Sequence, residues 1–270
     1  MLVLSPNVPL VDPLAPGTNA NSPLIGWHSV LDPSMLSADE EDPDHPVVNL
    51  ANPATFLRWQ GESTAAQEIL ATIGLVDEVD YVGFANHNFG SSQISVEIEG
   101  SSDGVDYSSL VGPAMLGTDG PALFRFEPGA YSHIRIKLGS GTAIPFCSTM
   151  YIGKLLVVPR KMYVGHTPLP YGRVAQVANG RSESGHFLGR IITGEYRQSS
   201  ALFDFLEPDW YREYFEPFVK AAQERPFFFA WRPGDYPEEV GFAWLTDDIR
   251  PVNSLPNGMM RVALDMQGIA

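Results

Sequence analysis

One cysteine, Cys147, is all the thiol chemistry this chain has. That excludes an internal disulfide framework and a zinc site built on cysteine thiolates, and it fits folding in a reducing cytoplasm. Cations are nearly as scarce in the first half. Residues 1–153 hold 4 Lys+Arg against 18 Asp+Glu, and residues 154–270 hold 13 against 14, which together give the net charge of −15. The first half would repel a phosphate backbone, so no nucleic-acid partner is expected. No apolar run reaches the roughly 18 residues of a membrane-spanning helix. The first ten residues have neither a basic segment nor an apolar core of signal length, so neither membrane insertion nor signal-directed secretion is expected.

Catalytic signatures are missing too. The sequence has no Gly-x-Ser-x-Gly elbow, no His-Glu-x-x-His, no phosphate-cradling glycine loop and no dinucleotide fingerprint. The six histidines, at 28, 45, 87, 133, 166 and 186, lack metal-ligand spacing. The acid run 39–44 lacks the ligand spacing and interior glycine of a calcium loop and reads as a solvated loop. No enzyme activity, cofactor or metal is therefore expected. His87, between Asn86 and Asn88, is the best candidate base, yet an Asn-His-Asn loop more readily bonds its own backbone.

What is present is punctuation and short apolar runs. The 23 prolines and 25 glycines are spread through a chain that is 44% hydrophobic, the profile of a folded, mainly β protein rich in turns. Residues 1–45 read as a Pro-rich arm and an acidic loop. Strand-like runs follow at 47–50, 55–59, 67–73, 122–126, 133–138 and 151–158. Between them lie two motifs. Val79, Val82, Gly83 and Phe84 open a buried strand. Ile94, Val96 and Ile98 then alternate with polar residues up to the turn Ser102-Asp103-Gly104, with Tyr107 beyond.

The order and spacing of these motifs, with Ile152-Gly153-Lys154-Leu155 further on, resemble the discoidin-like (galactose-binding) jelly roll. That resemblance implies a β-sandwich over 46–158, with loops that often bind sugars. Asn86, His87, Asn88, Asp103, Asp106 and Tyr107 are the candidate sugar ligands, since amides and carboxylates bond hydroxyls and an aromatic stacks on a sugar ring.

Residues 159–180 read as a linker and 181–270 as a smaller α+β domain. A strand at 185–198 precedes a helix at 209–222, which Asp209 could cap and Pro217 would bend or divide. Strands at 226–231, 240–245 and 259–266 complete it. This layout, with Asn179-Gly180-Arg181 and the run from Phe227 to Pro233, is similar to the second domain of minor tail proteins of long-tailed bacteriophages. The resemblance implies a structural virion protein of the tail tip or baseplate, assembled in the host cytoplasm. Its partners would be other tail proteins and further copies of itself in a symmetric ring. Arg190, Arg197, Trp210, Tyr211, Arg212, Trp231 and Arg232 have the chemistry favoured at such interfaces, although most of the aromatic load must be core. The alternative is a carbohydrate-binding adhesin that touches a host surface glycan. A glycan-processing enzyme is the third reading, because paired carboxylates can come together from distant positions.

Overall fold

The computed structural model describes residues 1–6, 8, 18–74, 78–162, 164–253 and 258–270. Residues 7 and 9–17 of the Pro-rich arm lie outside the described residues. The chain is mainly β and forms three stacked sheets, with the helical segment of residues 208–222 on the last and short 3-10 helices between strands. The outer sheet is ordered β3-β5-β10-β7-β8, from strands Leu36–Ala38, Gln67–Thr72, His133–Leu138, Ser95–Ser101 and Ser108–Met115. The middle sheet is ordered β1-β9-β6-β11-β4, from Leu2–Leu4, Ala122–Gly129, Val79–His87, Phe146–Gly153 and Trp59–Gln60. Together they make the expected β-sandwich. Val96, Ile98, Ile134 and Ile136 from one sheet meet Val82, Phe84, Phe124 and Ile152 from the other in a shared apolar core. The period-two pattern places them there, because alternate side chains of a strand share a face.

The third sheet is ordered β12-β2-β15-β16-β18-β14-β13. Its strands are β2 (Leu24–Gly26), β12 (Leu156–Val157), β13 (Arg173–Arg181), β14 (Phe187–Leu206), β15 (Phe227–Ala230), β16 (Val240–Leu245) and β18 (Met260–Ile269), with the short β17 (Val252–Asn253) paired to β18. The three consecutive phenylalanines fit here because β15 is covered on both sides. Phe227 and Phe229 face the helix, while Phe228 and Ala230 face the sandwich. A strand buried on both faces reads as an unbroken apolar run.

Gly83, in the first motif, shows how closely the layers meet. A Cβ there would stand 2.7 Å from the Phe228 ring, so only glycine lets the third sheet approach the middle one at this point. Tyr151 caps the junction, its hydroxyl donating to the Pro226 carbonyl at 3.0 Å. Leu24, Tyr81, Leu123, Val157, Val240 and Phe242 complete a continuous apolar layer.

Several elements differ from the sequence reading. Residues 47–50 lie in a 3-10 helix, Val47–Ala51, instead of a strand, because the Glu41 carboxylate accepts the free Val47 N–H at 2.7 Å and stabilises a helical start. Residues 55–58 form a turn, and only Trp59–Gln60 pairs in the sheet. The run 151–158 divides between two sheets: β11 ends at Gly153, Asp80 accepts the Leu155 N–H at 2.7 Å, and β12 joins the third sheet. Segment 159–180 holds most of strand β13, and residues from the first 45 supply β1, β2 and β3 to all three sheets.

The helical segment starts one residue earlier than expected. Glu207 is its N-cap and Pro208 its first residue, so Asp209 sits inside the first turn. It runs through α1 (Pro208–Trp210), a π-helical stretch (Tyr211–Phe215) and α2 (Glu216–Ala222). Pro217 has no N–H to give the preceding turn, and the wider π turn just before it accommodates that gap without dividing the helix.

Candidate functional site

The candidate sugar residues fall into two groups at opposite ends of the sandwich. Asn86, His87 and Asn88 close β6, and a short connection leads straight into β7. Asp103, Asp106 and Tyr107 follow the far end of β7. They do not form one site.

At the far end, the groups fasten their own turn. The Asp103 carboxylate accepts from the N–H groups of Val105 and Asp106 at 2.9 and 3.0 Å and from the Ser101 hydroxyl at 2.9 Å. Those donors, the backbone N–H groups first, hold its pKa down to about 2. Gly104 takes φ +77 at the turn's tightest point. The Tyr107 ring lies 4.0 Å under the Arg135 guanidinium, which is itself bonded to Glu99 at 2.7 Å. Asp106 is exposed.

At the near end, His87 is buried and stacked on Phe89 at 4.6 Å. Its Nδ1 accepts the Phe89 N–H at 3.2 Å, so the loop does bond its own backbone. Burial is the main cause that lowers its pKa to about 4. Asn88 is also spent on structure, donating to the Ile144 carbonyl at 2.8 Å and accepting the Phe146 N–H at 2.9 Å. Cys147, nearby, is buried and its thiol is pushed up to about 12 by desolvation, which leaves it unreactive.

Asn86 differs, being exposed with φ +54, a conformation asparagine tolerates better than most residues. Its amide donates to the Thr55 carbonyl at 3.0 Å and to the Ser148 hydroxyl at 2.7 Å. It thereby pins the 52–58 turn, which Asn49 also holds by donating to the Arg58 carbonyl at 2.8 Å. The pinned turn presents Phe56 at 83% exposure. Two residues on, the Arg58 guanidinium lies 5.0 Å from the Phe146 ring centre. The sequence reading gave Phe56, Arg58 and Phe146 no role. Asn52-Pro53, a turn signal just ahead of the run, was the clue that outranks the strand propensity of Thr-Phe.

The other distinctive region is the β13–β14 hairpin. It pairs from Arg173↔Arg197 out to Arg181↔Phe187, a span of nine residues on β13 and about 30 Å of ribbon. β18 pairs with β14 only from Arg197 onward. Outward of that point the ribbon has no third strand among the described residues, and no residue from 173 to 198 is buried. Val177 pairs with Ile192 on one face and Ala178 with Ile191 on the other. Phe187, Leu188, Ile191 and Ile192 are each more than 60% exposed.

The candidate interface residues are spread over the arm, the helical segment and the loop after β15. Arg190 lies on the arm, bonded to Asn179 at 3.1 Å, and Arg197 at its base, bonded to the Pro170 carbonyl at 3.4 Å. Tyr211 is buried in the core, with its hydroxyl on Glu216 at 2.8 Å. Trp210 packs half-buried against Tyr214 and Phe215, and Arg212 is exposed beside Asp209. Trp231 stacks on Tyr236 at 5.4 Å, with Arg232 beside both rings and paired to Asp235.

No protein-family model and no curated protein matches the chain. Among solved structures it is similar to a CBM32 module from Clostridium perfringens in complex with GalNAc-β-1,3-galactose, with 12% identity, 44% of this chain and 93% of the module covered, and a TM-score of 0.39. It is also similar to chitosan-binding module 1 of a chitosanase/glucanase from Paenibacillus sp. IK-5, with 14% identity, 46% and 98% covered, and a TM-score of 0.42. For the CBM32 of AlyQ in complex with 4,5-unsaturated mannuronic acid, the identity is 19%, the coverage 47% and 96%, and the TM-score 0.39.

Proposed function

We propose that this protein is a structural assembly subunit that binds further copies of itself through the β13–β14 arm. The particle in question is the tail tip or baseplate of a long-tailed bacteriophage, as the sequence resemblance implies. The observation that carries this reading is the arm. A two-stranded ribbon with no core of its own is marginal in water, and unpaired strand edges invite pairing. With apolar side chains on both faces, the arm calls for cover from both sides, which a closed ring of identical subunits supplies. Charge favours the same arrangement. Residues 173–197 carry four arginines against two glutamates, whereas residues 1–153 carry a net −14 (4 − 18), so the arm of one copy suits the acidic sandwich of another. Light scattering tests the reading: a closed oligomer is expected, and a monomer at all concentrations would contradict it.

A second reading, carbohydrate binding by the sandwich, rests on Phe56. A fully presented aromatic on a turn pinned by Asn49 and Asn86 is the form of a stacking platform for a sugar ring. The two readings are compatible, since the platform lies on the sandwich and the arm on the third sheet.

A further inference from the structure

Four cations serve residues 1–153. Arg135 and Lys137 sit in a network with Glu68, Glu97 and Glu99. Arg125 is buried on β9. Arg58, the fourth, is half-exposed with no ion pair and no side-chain hydrogen bond among the described residues, and its Nε is shielded from water without a partner. Its guanidinium instead lies against the Phe146 ring. An unsatisfied, desolvated donor is costly, so a surface arginine in a chain with 32 carboxylates ordinarily finds one. Among the described residues, no carboxylate is paired with it.

From this we infer that the Phe56–Arg58 turn binds an acidic saccharide, with the sugar ring on Phe56 and its carboxylate on Arg58. The inference rests on the carbohydrate reading above and adds the class of ligand. The planar guanidinium fork matches a carboxylate with two parallel hydrogen bonds, and stacking on Phe146 holds that fork in one plane. Asn86 is a positioning residue. Both its amide hydrogens go to Thr55 and Ser148, which fix the turn, and its carbonyl oxygen is left to accept a sugar hydroxyl. The surrounding net charge of −14 opposes an anion at long range, but at about 0.15 M salt that repulsion is screened beyond roughly 8 Å while the contact pair persists.

The test is calorimetric titration of the full chain at that salt concentration with oligogalacturonate, oligomannuronate and the carboxyl-reduced, uncharged form of each. Neutral galactose- and glucosamine-based oligosaccharides are run alongside. Binding of an acidic oligomer is expected, weaker by at least about tenfold after carboxyl reduction, because a hydrogen bond to a charged group contributes about 1.5–3 kcal/mol. Arg58→Gln should give the same loss. Phe56→Ala should abolish binding with an unchanged melting temperature, since the side chain is almost wholly exposed. Equal binding of reduced and acidic forms overturns the acidic class and leaves the carbohydrate reading standing. Acidic binding untouched by both substitutions places the ligand elsewhere and overturns the site. Silence toward every sugar overturns this inference and the carbohydrate reading together.

Discussion

The sandwich and the β13–β14 arm are built from the same kind of strand yet are stabilised in opposite ways. In the sandwich each strand has neighbours in its sheet and a second sheet against one face, and β6 is buried along nearly its whole length. In the arm, β13 and the first half of β14 pair only with each other among the described residues, and Ile191 and Ile192 are exposed. Strand composition therefore sets pairing, whereas burial is decided by what lies above and below. The sandwich carries its own core. On the assembly reading proposed above, the arm takes its cover from another copy of the chain.

The contrast is broken most severely by removing the arm. Replacing residues 177–192 with a two-residue turn should convert the oligomer to a monomer by light scattering while leaving the thermal unfolding of the body intact. Next in size is a change at the layer junction. Phe228→Ala removes a fully buried ring from the contact with Gly83, Tyr151 and Phe242, and should cost about 3–5 kcal/mol in denaturant unfolding.

A third test uses pH. His87 is held neutral in the folded state with its pKa near 4, against about 6.5 when unfolded. The unfolded chain thus binds the extra proton first, and stability should fall as pH drops from about 6.5 to about 4, by on the order of 3 kcal/mol, and then level off. Denaturant midpoints across that range should show the slope, and His87→Phe should flatten it. Smaller still is Ile192→Ser on the arm, which should leave the unfolding midpoint within about 0.5 kcal/mol of the parent, as for exposed positions, yet weaken oligomerisation. An equal loss of stability and assembly would mean that the arm's apolar side chains serve the fold of a single copy. The smallest effect is expected from Asp103→Ala, a modest fall in melting temperature as the Ser101–Asp106 turn loses its acceptor, with the oligomer unchanged.

Much of the sandwich was legible in the sequence because alternation is a local signal. Val96, Ile98, Ile134 and Ile136 announce one buried face, and the motif glycine Gly83 stands where a neighbour comes close. The 3-10 helix at 47–51 was not legible, since it depends on Glu41 reaching a backbone amide six residues on. The arm was half legible. Its strand character shows in 185–198, but the absence of a covering strand among the described residues is a property of the whole sheet, and most of β13 read as a linker because Pro and Gly punctuate 159–180. The Phe56–Arg58 turn was hidden for a related reason. Its conformation is imposed by Asn86, about thirty residues away, and Arg58 is notable only once no described carboxylate is found paired with it.

Amide hydrogen exchange of the intact protein, followed across a dilution series, separates an arm covered by a partner from one that stands alone. Amides of 174–181 and 187–196 are expected to exchange slowly in the concentrated protein and quickly on dilution, while those of β6, β7 and β10 stay protected throughout. Arm amides that exchange quickly at every concentration, in a protein that is nonetheless oligomeric, would show that assembly runs through another surface. Arm protection that persists in a dilute monomer would show that the ribbon needs no partner.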